Sequence, residues 1–178
     1  AVAIDANGGV HVLSINTDYE LWHRYYNEGA LAAVKLSDGP VCEVVAVAGE
    51  DDECHVAYTT FSEDLNLNEA LDDGEDVNGN SLLDVVPHEV VYQLIDANAP
   101  DSAETVVADA LIRVCYLDLL FSTTYGLKVA YADPVTNAIR LAERGGSTWS
   151  AGQISSTVGS YGPLALAIKS DGNCVVSF

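Results

Sequence analysis

Apolar residues in this chain cluster in short runs of Val, Ile, Leu and Tyr, broken every few positions by Gly, Asn, Asp or Pro. VAIDANGGVHVLSI (2–15), VCEVVAVAG (41–49), ECHVAYTTF (53–61), HEVVYQLID (88–96), ALIRVCYLDLLF (110–121), LKVAYAD (127–133), AIRLAER (138–144) and LALAIKSDGNCVVSF (164–178) share this character. β-branched and aromatic residues between turn-forming clusters predict strands joined in antiparallel meanders. Two stretches compete as helices, DYELWHRYYNEGALAAVKL (18–36) and VVADALIRVCYLDLLF (106–121). In the first, Gly29 and the cluster of Trp22, Tyr25 and Tyr26 leave helix and strand both open; strand is the expectation for each.

The runs also repeat. AIDANGGVHVLS (3–14) and AIKSDGNCVVSF (167–178) each open with Ala-Ile, pass a polar turn holding Gly8 or Gly172, and close on an apolar strand. VAGEDDECHVAY (47–58) follows the same plan, with Cys54 matching Cys174 and Val10, and YGLKVAYAD is a weaker copy. Taking Val12, Val56, Val129 and Val176 as equivalent gives intervals of 44, 73 and 47 residues. A unit of about 45 residues with four short strands is the signal of a propeller blade. The long middle interval then contains an insertion of roughly 25 residues, placed at 62–86.

The quoted hairpins resemble the A-L-D-x-x-G-x-x-H-V-x-Y hairpin of secreted bacterial β-propellers, and LAERGGSTWS (141–150) resembles the Asp-box hairpin of sialidase-type blades. Arg144 stands where an Asp-box carries its aspartate. The resemblance implies an all-β domain over 1–178 built of antiparallel four-stranded, blade-like repeats. About three repeats with redundant ends are expected, as a fragment of a longer chain or as a protomer that pairs its open edges head to tail with other copies.

The inserted stretch has its own period of twelve. Laying EDLNLNEALDD over EDVNGNSLLDV matches Glu63 with Glu75, Asp64 with Asp76, Asn66 with Asn78, Asn68 with Asn80, Leu71 with Leu83 and Asp72 with Asp84. Side-chain oxygens at alternate positions let a loop curl around a hard cation. The first loop offers Asp64, Asn66, Asn68, the Ala70 carbonyl, Asp72 and Glu75; the second offers Asp76, Asn78, Asn80 and Asp84. The stretch resembles the tandem Ca²⁺ loops of dockerins and thrombospondin type 3 repeats, which implies one or two Ca²⁺. Glu69 replaces the glycine of such loops, and Pro87 occupies the place of the second bidentate glutamate, so the second site either takes an outside ligand such as Glu89 or Asp73 or is the weaker of the two.

Charge and composition narrow the function. The chain has 178 residues, 27 acidic against 7 basic, a formal charge of −20 and no methionine. So few cations disfavour nucleic acid and anionic membrane as partners and favour divalent cations, or a salty or extracellular setting. Cys42, Cys54, Cys115 and Cys174 are disulfide candidates for a secreted protein, with buried thiols as the alternative. No GxSxG, HExxH or phosphate loop is present. His11 and His55 fall at one repeat position, which argues for a structural role. Trp22 and Trp149, with Tyr19, Tyr25, Tyr26, Tyr125 and Tyr161, are candidate glycan-stacking or gap-filling aromatics. The expectation is a non-enzymatic, secreted, calcium-binding protein with a structural or adhesive role, its partners being other copies or a longer chain. The alternative is a carbohydrate-binding or sialidase-type propeller.

Overall fold

The computed structural model describes residues 1–37, 40–64, 70–76, 81, 88–96, 99–108, 116–133, 136, 138–156 and 163–178. These form fifteen strands and no helix. The first sheet is a meander of β1 (Val2–Ile4), β2 (Val10–Ile15), β3 (Leu21–Asn27) and β4 (Ala30–Ser37). The second runs β5 (Val41–Ala48), β6 (Glu53–Thr60), β7 (Glu89–Asp96) and β8 (Ala99–Pro100), with β9 (Glu104–Ala108) also paired to β7. A third meander holds β10 (Leu117–Ser122), β11 (Gly126–Asp133), β12 (Ala138–Gly145) and β13 (Thr148–Ser156). The fourth sheet is the hairpin of β14 (Ala165–Ile168) and β15 (Cys174–Ser177). Every pairing is antiparallel, and among the described residues the sheets close into neither a barrel nor a propeller ring.

The contested stretch 18–36 is the β3–β4 hairpin. Glu28 (φ 49°) and Gly29 (φ 84°) are both left-handed, as a two-residue turn matching strand twist requires. Much of the other contested stretch, 109–115, lies outside the described residues. Strand β13 carries Gly, Ser, Thr and Gln on an exposed edge, so its sequence lacks the apolar run that marks the other strands.

The four leading hairpins share one register. Val2 pairs with Val12, Ala46 with Val56, Leu119 with Val129 and Leu166 with Val176. Three close through the same backbone bond, from Asp5 N–H to Gly9 O at 3.0 Å, Gly49 N–H to Glu53 O at 2.9 Å, and Lys169 N–H to Asn173 O at 2.9 Å. The valines at intervals of 44, 73 and 47 therefore occupy one structural position.

The sheets stack face to face in chain order, because period-2 alternation gives each an apolar set on both faces. Ala3, Leu13 and Leu21 of the first sheet meet Val41, Cys54, Val56 and Val91 of the second. From its other face, Ala57, Val90 and Tyr92 meet Leu117, Leu119 and Val129 of the third. Ala130, Ala132 and Ile139 meet Leu164, Leu166 and Val176 at the fourth. The first strands also lie side by side, β1 on β5, β5 on β10 and β10 on β14. Turns of neighbouring sheets are tied together: Asn7 donates to Asp52 at 3.0 Å, and the Tyr125 hydroxyl donates to Ser170 O at 2.8 Å.

Candidate functional site

The acidic stretch leaves the second sheet between two strands that pair through Thr59 and Val90. The β6–β7 connection spans 61–88, which is 28 residues. The corresponding connections are 16–20 in the first sheet and 134–137 in the third, five and four residues. Its root is tucked into the protein. Phe61 is buried, its N–H donates to Pro40 O at 3.0 Å, and its ring sits edge-on to Tyr19.

Carboxylates follow the root inward. Glu63 (0 % exposed), Asp64 and Glu75 are buried, and the Asp64 N–H donates to Ser62 Oγ at 3.1 Å. Glu75 Oε2 accepts the Asp72 N–H at 3.0 Å while the Glu75 N–H donates to Asp72 O at 3.1 Å, closing one tight turn that contains left-handed Gly74. Asp76 Oδ2 accepts the Ser81 N–H at 3.0 Å; its Oδ1 is buried with no hydrogen-bond partner among the described residues. Ala70 and Asp72 are exposed.

Asn66, Asn68, Asn78, Asn80 and Asp84 lie outside the described residues. Among the described residues no group of three or more His, Cys, Asp or Glu side chains converges as a metal site. What the structure does bring together is Asp72 with Glu75, the expected ninth and twelfth positions of the first loop. Donors of this kind are hard oxygens, the chemistry Ca²⁺ selects. The cations, meanwhile, serve the sheets: Lys35, Lys128, Arg140 and Arg144 pair with Glu20, Glu143, Asp133 and Glu104.

A second polar centre, which the sequence did not disclose, fills the junction of the first two sheets. Asp5 Oδ1 accepts the N–H groups of Asn7 (2.9 Å) and Gly9 (2.7 Å). Its Oδ2 accepts from the Tyr25 hydroxyl at 3.1 Å and from His11 Nε2 at 3.2 Å. Burial pushes the Asp5 carboxyl up, but these four bonds outweigh it and hold the group below its ordinary value. With its Nε2 proton committed to Asp5, His11 Nδ1 accepts from His23 Nε2 at 3.0 Å. The relay ends at His23 Nδ1, a buried acceptor with no partner among the described residues. Burial, with His11 beside it, lowers His23 to about 4. Burial likewise lowers His11 against the pull of Asp5, and raises Tyr25 to about 12.

The second sheet repeats the device. His55, at the register position of His11, shares a 2.7 Å hydrogen bond through Nδ1 with the Tyr92 hydroxyl, as His11 does with His23 on the neighbouring strand. In the third sheet the position is Lys128, buried and paired with Glu143 at 2.5 Å. The only sequence signal was the shared register of His11 and His55. Asp5, His23 and Tyr25 became partners through strand pairing.

Trp22 lies in the first sheet and Trp149 in the third, with the second sheet between them. Trp22 donates its N–H to Glu20 at 3.0 Å. Trp149 donates to Glu104 at 3.2 Å and packs edge-on against Tyr92. Arg144 also binds Glu104 and stacks on the Tyr92 ring at 5.1 Å, so this arginine clamps the second sheet to the third. The expected disulfides are not seen among the described cysteines. Cys54 is a buried free thiol in β6, Cys174 is a half-buried free thiol in β15, and Cys42 touches Thr59 Oγ1 at 2.9 Å. Cys115 lies outside the described residues.

No protein-family model matches the chain, and no curated protein matches it.

Proposed function

We propose that this is a non-enzymatic, extracellular calcium-binding β-repeat protein of propeller type. Its role is structural or adhesive, within a longer chain or a head-to-tail assembly. One observation carries the reading. A connection of four or five residues elsewhere is here 28 residues long, and it holds two acidic twelve-residue periods. Glu63, Asp64 and Glu75 bring carboxylates into the buried root of that connection. Asp76 Oδ1, buried and without a hydrogen-bond partner among the described residues, supports the same reading. Bound Ca²⁺ would be held by Asp64, Asn66, Asn68, the Ala70 carbonyl, Asp72 and Glu75, with Asp76, Asn78, Asn80 and Asp84 as a second set. The ion neutralises the repulsion among eight clustered acids and orders the loop. The stack of register-matched sheets, with their first strands side by side, supports the propeller-type reading.

Calcium titration with a melting readout tests it. At Ca²⁺ 100-fold above its Kd, binding adds about 2.7 kcal/mol, a rise in Tm of roughly 5–10 °C for a chain of this size. Chelator reverses the rise and opens 63–84 to protease. Equal melting in calcium and chelator, with no heat of binding, sinks the proposal.

A further inference from the structure

An asparagine followed by glycine is the dipeptide readiest to lose ammonia, because glycine sets no side chain beside its own nitrogen. The chain has two, Asn7-Gly8 and Asn78-Gly79, and the first lies in the turn between β1 and β2. Asn7 and Gly8 are both exposed, so water and hydroxide reach them. Gly8 is left-handed at φ 85°, and among the described residues nothing lies within 4 Å of the place its Cβ would take. Its N–H donates to Asp5 O at 3.2 Å, the long end of the range for such bonds.

The Asn7 side chain also ties two sheets together. Its Nδ2 donates to Asp52 Oδ1 at 3.0 Å, and beside it the Ala6 N–H donates to Asp51 O at 3.1 Å. Asp52 Oδ1 accepts in addition from the Tyr25 hydroxyl at 3.4 Å, whose second acceptor is the buried Asp5. The fourth sheet carries the matching turn with a carboxylate already in this place. There Asp171 precedes left-handed Gly172 (φ 86°), and the Lys169 N–H to Asn173 O bond closes the hairpin as Asp5 N–H to Gly9 O closes the first. An aspartate therefore fits the turn itself; at position 7 it would face Asp52.

We propose that Asn7 is a site of spontaneous deamidation whose product loosens the tie between the first two sheets. The side chain first swings off Asp52, an exposed bond that water replaces. The Gly8 backbone nitrogen, its proton passed to hydroxide, then bonds to Asn7 Cγ. The Cγ–Nδ2 bond breaks and ammonia leaves, which gives a cyclic succinimide. Water opens that ring at either carbonyl and leaves aspartate or isoaspartate at position 7, with no oxidant or reductant consumed. The product replaces a hydrogen-bond donor by a carboxylate. The contact with Asp52 turns from attraction to like-charge repulsion, which salt screens because the turn is at the surface. Nothing in this sequence of steps is reversible in water, so the tie weakens with the age of the molecule.

Incubating the full chain in warm neutral buffer, folded and in urea, and mapping its peptides by mass spectrometry tests this. The expected result is a gain of about one mass unit at Asn7 in the folded protein, with isoaspartate detected by enzymatic methylation of the same peptide. Asn78-Gly79 is read on a separate peptide. Asn7→Gln keeps the amide but disfavours closure of the ring, so it stays unmodified and melts like fresh wild type. Asn7→Asp supplies the charge of one product at once, and lowers Tm by about 2–4 °C at low salt and by less at high salt. Hydrogen exchange then speeds up in the turns joining β1 to β2 and β5 to β6. An Asn7 that stays intact in the folded protein while the chain in urea converts overturns the site. An Asn7→Asp variant that melts and exchanges like the wild type at low salt overturns its consequence.

Discussion

Replacing His55 with glutamine isolates the energy of keeping an imidazole neutral inside the stack. His55 is buried between the second and third sheets, with the Phe121 ring at 4.2 Å and Nδ1 on the Tyr92 hydroxyl. Its Nε2 has no hydrogen-bond partner among the described residues. Burial first, and Arg144 second, lower its pKa to about 4. In the unfolded chain the same group titrates near ~6.5. Below that pH the unfolded chain takes up a proton that the folded protein refuses, so stability falls with acidification. It is fully present above about pH 6.5, and the loss levels off near the folded value of about 4. Between about pH 7 and pH 5, this one group costs about 2 kcal/mol. Urea unfolding, followed by tryptophan fluorescence across that range, measures the loss. His55→Gln cannot titrate yet its amide still reaches Tyr92, so its stability falls by about 2 kcal/mol less than the wild type's. Parallel curves for the two proteins would falsify the assignment of His55 as a buried neutral imidazole.

Gly9→Ala places a Cβ against Asp5 Oδ2 and the Tyr25 ring and hydroxyl, at the hub of the Asp5–His11–His23 relay. Overpacking of this kind costs about 1–3 kcal/mol, read as a lower urea midpoint with the slope unchanged. Glu104→Ala takes the acceptor from both Arg144 and Trp149. These groups are partly exposed, so water replaces much of the bond, and the loss is about 1 kcal/mol. Hydrogen exchange should locate that loss in β9 and β13, and a loss confined to the first sheet would count against the clamp.

Local sequence was enough for the strands and their repeat. Val, Ile and Tyr runs between turn residues marked most strands of the first three sheets, with β3 and β4 left open between helix and strand and β8 unmarked, and the 44-, 73- and 47-residue intervals fall on one register position. The acidic period was equally legible, because loop chemistry is written in consecutive residues. Strand β13 was not, since its Gly, Ser and Thr residues are held by pairing with β12 and not by burial.

The buried polar centres needed the third dimension. Asp5, His11, His23 and Tyr25 are spread over 21 positions, and only antiparallel pairing of β2 with β3 sets them on one face. A buried carboxylate and two imidazoles are tolerable only when each finds its partner across that pairing. Sequence thus determined the strands, the repeat and the acidic loop, all set by near-neighbour chemistry. The stacking order and the histidine relays were decided by contacts between residues distant along the chain.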